Sequence, residues 1–174
     1  MRRLSLNARL AQDALASSEI EVALFEVSHP ELESPIRLST DNTERLSDDP
    51  LIYGTRSTWR GANPVTEPFL WIIASVVLPS DLEDAPASAT LVLENLDAEM
   101  VELLRSFTTP PSVHIAGVLA SSPDVIEVEF LDLKLTSAAI QGGEIHLSLD
   151  REEVELEHFP PGRMTRLNFP GLHA

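Results

Sequence analysis

The chain has 174 residues, 43% of them hydrophobic, and no cysteine. That is enough for one core burying about 70% of the unfolded chain's surface, and it rules out disulfides, thiolate metal sites and iron–sulfur clusters. Its 28 acidic residues stand against 12 Lys and Arg, a formal net charge of −16, which argues against nucleic-acid binding because phosphate contacts need a basic patch that releases counterions.

The start, Met1 to Asn7, lacks the apolar stretch of a signal peptide. The longest apolar run, Phe69 to Leu78, is about half the ~20 residues a helix needs to cross a bilayer. A soluble product made in the cytoplasm, without membrane contact, is expected. The first strand is Glu19 to Ser28, where Ile20, Val22 and Leu24 alternate with Glu21, Ala23 and Phe25 in the period of a half-buried strand. His29–Pro30 stops it, and Pro35–Ile36–Arg37–Leu38–Ser39 returns as a partner, since proline is tolerated at a strand start.

From Thr40 to Glu67 the periodicity is lost. Asp41, Asn42, Asp48–Asp49–Pro50, Gly54, Gly61 and Asn63–Pro64 punctuate the chain every few residues. Irregular stretches of this length are uncommon inside a compact domain. Because Ile52, Tyr53 and Trp59 are scattered through it, the expectation is a long irregular arm that packs on another subunit, with a loop folded on its own domain as the alternative.

Phe69 to Leu78, rich in β-branched and aromatic residues and closed by Pro79, predicts a central strand buried on both faces. After the acidic turn at Asp81–Pro86, Ala89 to Glu94 forms another. One short helix is expected from about Ala98 to Phe107, capped by Asp97, with Met100, Leu103, Leu104 and Phe107 on its buried face and Pro110–Pro111 beyond its end.

Ser112 to Leu119 reads as a strand with Val113, Ile115 and Leu119 on one face. In Val125 to Leu135, Ile126, Val128 and Phe130 alternate with Glu127 and Glu129, and then the phase reverses so that Leu131, Leu133 and Leu135 alternate with Asp132 and Lys134. A reversal without a break predicts a β-bulge or a strand bending between sheets. Gln141–Gly142–Gly143–Glu144 predicts a hairpin turn into the alternating segment Ile145 to Asp150. At least six strands and one helix make a mainly β chain, a β-sandwich or rolled barrel, organised as a single domain over residues 1–174.

Catalytic spacing is absent: no Gly-x-Ser-x-Gly elbow, no His-x-x-x-His pair and no Gly-rich phosphate loop occurs. His114 and His146 could meet across strands, but sheet histidines satisfied by hydrogen bonds are the expectation. Asp41, Asp48 and Asp49, or Asp81, Glu83 and Asp84, lack the spacing of a calcium loop. Arg56 and Arg60 flank Trp59 in an acidic chain, which suits salt bridges better than base stacking. No enzyme activity, metal or cofactor is expected.

The last segment, Phe159 to Leu172, carries Pro160–Pro161 and Pro170–Gly171 and cannot continue a helix or central strand. Its anchors Phe159, Met164, Phe169 and Leu172, with Arg163 and Arg166 between them, are of the kinds that dominate interfaces, so a docking segment from about 158 to 174 is expected.

The order of His29–Pro30 to Ser39, Ser47–Asp48–Asp49–Pro50–Leu51–Ile52–Tyr53–Gly54, Ala89 to Asp97 with Pro110–Pro111, Leu119–Ala120–Ser121–Ser122–Pro123–Asp124 and Phe159 to Leu172 resembles a family of small bacteriophage tail-assembly proteins known as a domain of unknown function. The resemblance spans nearly the whole chain. It implies a siphophage-type tail-tip protein, similar to a distal tail protein, in a virion. Its implied partners are further copies of itself in a ring, a hexamer being favoured over a trimer, together with the tail tube protein, the tape-measure protein and hub proteins, with DNA passing through unbound. The sequence departs from that pattern in showing no second, carbohydrate-binding domain, so direct host recognition is not expected. A hub or assembly factor forming a trimer is the alternative, and a cell-wall hydrolase would need a constellation this sequence lacks. The subunit interface would include Ile52, Tyr53, Trp59, Phe159, Arg163, Met164, Phe169 and Leu172.

Overall fold

The computed structural model describes residues 4–77, 88–94, 109–141 and 144–150. The chain is mainly β. Its strands are β1 (Glu21–Ser28), β2 (Ile36–Ser39), β3 (Glu44–Asp48), β4 (Leu51–Thr55), β5 (Phe69–Trp71), β6 (Ile73–Val77), β7 (Ser88–Glu94), β8 (Ser112–Leu119), β9 (Val128–Gln141) and β10 (Glu144–Asp150). They form one curled, mixed, half-barrel sheet in the order β3-β4-β5-β2-β1-β8-β9-β10-β7-β6.

The curl has a simple covalent cause. β5 and β6 are consecutive in the chain, yet β5 pairs with β2 and β4 near one end of the sheet while β6 pairs with β7 at the other. The chain changes sides at Ile72, whose N–H donates to the Ser39 carbonyl at 2.8 Å. One continuous stretch therefore ties the two ends together and encloses the main core. Phe25 and Val27 of β1, Leu38 of β2, Ile72, Leu91 and Leu93 of β7, Val113 and Ile115 of β8, Leu133 of β9 and Leu147 and Leu149 of β10 fill it.

A second, smaller core lies on the other face of the sheet. Val22 and Leu24 of β1 and Ala116 and Val118 of β8 pack there under Trp59, Ala62 and Phe69. β1 is thus buried on both faces, not on one as its alternation suggested. The charged and small residues interleaved in it, Ala23 and Glu26, have partners of their own on each side.

Three further expectations change. The segment 40–67 is not an irregular arm: β3 and β4 form an antiparallel hairpin that extends its own chain's sheet, and a 3₁₀ turn, Trp59–Gly61, brings Trp59 onto the second core. Its prolines and glycines break the sequence period without preventing strand pairing. Phe69 to Leu78 is not a central strand buried on both faces, because Trp71, Ile73 and Val77 are 40%, 45% and 66% exposed. The helix expected at 98–107 lies outside the described residues. Among the described residues the helix is α1 (Leu6–Asp13), whose N-cap Ser5 accepts from the Ala8 N–H at 3.1 Å. It buries only Ala8, which is why no periodic apolar face announced it.

The bulge expected in the 125–135 strand is present. β8 and β9 pair Ile115 with Phe130 and Val113 with Leu133, so His114 alone faces Leu131 and Asp132. Asp132 takes up the extra residue with φ +57°, a left-handed conformation that Asp adopts at modest cost. The β9–β10 hairpin is also in the expected register, with Gln141 opposite Glu144. No helix among the described residues is long and apolar enough to cross a membrane.

Candidate functional site

The most concentrated chemistry on the described surface is a row of ionisable side chains crossing the second face of the sheet. Arg37 on β2, Glu26 on β1 and His114 on β8 occupy directly paired positions on neighbouring strands. Strand pairing alone places them side by side. The 3₁₀ turn then lays Arg60 over the row, the backbone there running through two left-handed residues, Arg60 at φ +57° and Gly61 at φ +73°.

Glu26 is 3% exposed, and burial of a lone carboxylate would be costly. Here both oxygens are engaged: Arg37 Nε donates to Oε2 at 3.1 Å and Arg60 Nε donates to Oε1 at 3.1 Å. Arg37 also reaches Glu67 Oε2 at 2.9 Å, so two carboxylates meet two guanidinium groups and the cluster is close to neutral. Arg60 Nη2 lies 3.2 Å from His114 Nε2 and the Asp132 backbone nitrogen lies 3.1 Å from His114 Nδ1, and the neutral ring accepts one of these two N–H groups according to its tautomer. Burial, and then the Arg60 charge, hold the His114 ring below its usual 6.5, against a smaller upward pull from Asp132, Glu26 and Glu129.

Around this cluster the 56–68 segment is pinned at several points. The Trp59 indole N–H donates to Glu129 Oε1 at 2.7 Å, and the Trp59 ring lies 5.8 Å from that of Phe69. Asp124 Oδ1 accepts from the Thr58 N–H at 2.7 Å and from the Thr58 hydroxyl at 2.8 Å. Arg56 forms an ion pair with Glu44. Both Glu26 oxygens are occupied by guanidinium N–H groups. Among the described residues no hydroxyl nucleophile is hydrogen-bonded to His114. The arrangement is built to fix a segment in place.

The Asp124 contact yields a prediction. Asp124→Ala should cost about 1–2 kcal/mol through the lost Thr58 hydrogen bonds, measured by urea unfolding at pH 7. The Thr58 backbone N–H, followed by its hydroxyl, holds the Asp124 carboxyl below its ordinary value. Its contribution is therefore present above the unfolded-state value and lost as pH falls through the lower folded value, so the gap between variant and parent should narrow in acid.

No protein-family model matches the chain, and no curated protein matches it.

The residues singled out from sequence separate in space. Trp59 is buried in its own domain, 7% exposed, which corrects its assignment to a subunit interface. Ile52 and Tyr53 are half-buried on the outermost hairpin. Phe159, Arg163, Met164, Phe169 and Leu172 lie outside the described residues, as do Asp81, Glu83 and Asp84. His114 and His146 do not meet, because β9 runs between β8 and β10. Asp41 is buried and caps the Thr43 N–H at 2.8 Å. No group of three or more metal-ligating side chains is found among the described residues.

Sequence reading missed Glu26 and Arg37 altogether. A charged residue at an inward position of a strand, Glu26 between Phe25 and Val27, was the available signal. A buried carboxylate on a strand demands a cationic partner on the neighbouring strand, and Arg37 supplies one.

Proposed function

We propose that this protein is a non-enzymatic structural subunit of a bacteriophage tail tip, a distal-tail-like protein that joins copies of itself and neighbouring tail proteins. The resemblance of an ordered set of segments to small phage tail-assembly proteins is the first support. The physical observation that carries it is an uncharged outward face on the edge strand β6: Ile73 and Val77 are 45% and 66% exposed, with exposed Ser75 between them. Alternate side chains on a strand share one face, so Ile73, Ser75 and Val77 line one side of β6. In a chain of net charge −16, an uncharged strip is where like-charged subunits approach with least repulsion.

The β3–β4 hairpin offers a second contact region, with Leu51 57% exposed at its turn beside Ile52 and Tyr53. Tail tube, tape-measure and hub proteins are the proposed neighbours, and DNA would pass without binding. An assembly factor or hub that forms a trimer is the competing reading.

The deciding experiment joins the mass of the purified protein by sedimentation with mass spectrometry of purified virions. A ring-sized oligomer, or a monomer that becomes a stoichiometric virion component, is expected. A stable trimer absent from virions would favour the assembly factor; salt-sensitive duplex binding would overturn the expectation that DNA passes unbound, and release of peptidoglycan fragments the non-enzymatic reading. In the same measurement Ile73→Asp with Val77→Asp should weaken self-association at least about tenfold while leaving the circular dichroism spectrum unchanged.

A further inference from the structure

We propose that His114 is an acid-operated latch: neutral, it accepts a hydrogen bond from Arg60 and holds the 56–62 segment against the sheet; charged, it rejects Arg60, turns to Asp132 and lets that segment open. The idea goes beyond the assembly role above and does not depend on it.

The geometry around the ring is the reason. Arg60 Nη2 faces Nε2 at 3.2 Å and the Asp132 N–H faces Nδ1 at 3.1 Å, so both ring nitrogens look at groups that only donate. A neutral imidazole has one free lone pair and can accept only one of these bonds; with its proton on Nδ1, on the side of the Asp132 carboxylate, Nε2 accepts from Arg60. An imidazolium has none and can accept neither. Protonation therefore removes the remaining bond and sets a second positive charge against the Arg60 guanidinium.

The same event strengthens a second contact of the ring. Asp132 Oδ1 lies 4.0 Å from Nδ1, and the Asp132 side chain is 83% exposed, placed there by the bulge. A small rotation brings it to the Nδ1 proton, a bond that the ring's positive charge strengthens. Among the described residues, the charged groups packed around the ring are Glu26 on β1, itself paired with Arg37 on β2; Arg60 on the 56–62 segment; and Glu129 and Asp132 on β9. Lys134 is occupied with the Ser112 hydroxyl at 2.8 Å. Arg60 keeps its bond to Glu26 Oε1 when His114 lets go, so the segment is loosened rather than expelled.

Burial and Arg60 lower the folded ring's proton affinity relative to the open form. The closed state is fully favoured above the open-form value of about 6.5 and loses that advantage as pH falls through the folded value. Opening is thus an acid event.

Trp59, next to Arg60 and buried against the second core, reports it. Trp71→Phe leaves Trp59 as the only tryptophan, since the chain has two. Acrylamide quenching of that protein should rise about threefold between roughly pH 7.5 and 5, in a single-proton transition, as the segment opens locally. Far-UV circular dichroism should stay constant. His114→Gln, which keeps an acceptor for Arg60 but cannot be protonated, should abolish the transition.

Asp132→Asn should shift the midpoint to lower pH by removing the partner of the charged ring. Asn tolerates the left-handed backbone at 132, so this variant decides the matter if the His114 variant fails to fold. Glu129→Gln should leave the transition in place. No transition, a transition kept in His114→Gln, an unmoved midpoint in Asp132→Asn, loss of the transition in Glu129→Gln, or quenching that rises only with loss of circular dichroism would each overturn the latch.

Discussion

Trp59→Ala should destabilise the isolated chain by about 3–5 kcal/mol, the usual cost of truncating a large buried aromatic. Trp59 packs on Phe69, covers Val22, Leu24, Ala116 and Val118, and donates its indole N–H to Glu129. Removing it opens a cavity over β1 and β8 and also detaches the 56–62 segment, because Arg60 and Thr58 are positioned by the same 3₁₀ turn. For a domain with a total stability of about 5–15 kcal/mol, the urea midpoint should fall sharply. Trp59→Phe should recover most of the loss and leave about 1 kcal/mol for the missing hydrogen bond. If Trp59→Ala unfolds at the parent's midpoint and only assembly is weakened, the residue belongs to a subunit interface after all.

Gly54→Ala should be the most damaging single methyl in the described chain. A Cβ at Gly54 would run into the Phe69 carbonyl oxygen, with the Phe69 carbonyl carbon at 3.0 Å and Leu46 Cδ1 at 2.9 Å. The obstacle is backbone of the neighbouring strand, so no side-chain rotation relieves it. β4 must move away from β5, which would loosen the only strand that β4 shares with the rest of the sheet and cost about 2–3 kcal/mol. Gly61 provides the contrast: nothing lies within 4 Å of a Cβ there, and Gly61→Ala should cost only the left-handed backbone, about 1–2 kcal/mol. Hydrogen exchange of the β3–β4 amides, faster in Gly54→Ala and unchanged in Gly61→Ala, checks both. Equal effects at the two positions would mean that the close approach of β4 to β5 is not what limits residue 54.

These two residues also mark where sequence reading stopped. Gly54 was read as punctuation in a stretch without period, and Trp59 as an aromatic with nothing local to pack on. Both are explained by residues far along the chain: Phe69 for the glycine, and Leu24, Ala116, Val118 and Glu129 for the tryptophan. A short hairpin at the sheet edge, with half its side chains exposed, needs no apolar alternation, so β3 and β4 left no pattern to detect. The ion cluster was hidden for a related reason. Glu26, Arg37, Arg60 and His114 are ordinary charged residues in sequence, and only the antiparallel registers of β1 with β2 and with β8 align three of them.

By itself the sequence determined the mainly β class, most strand positions, the phase reversal after Phe130 and the tight β9–β10 turn, because each follows from the two-residue period of a strand or from the conformational freedom of adjacent glycines. The tertiary structure alone decided that residues 40–67 fold back on their own sheet, that Phe69 to Val77 is shared between the sheet's two ends, and that His114 sits beneath Arg60. Those outcomes depend on which distant strands pair and on where the chain changes sides at Ile72, and local periodicity carries no information about either.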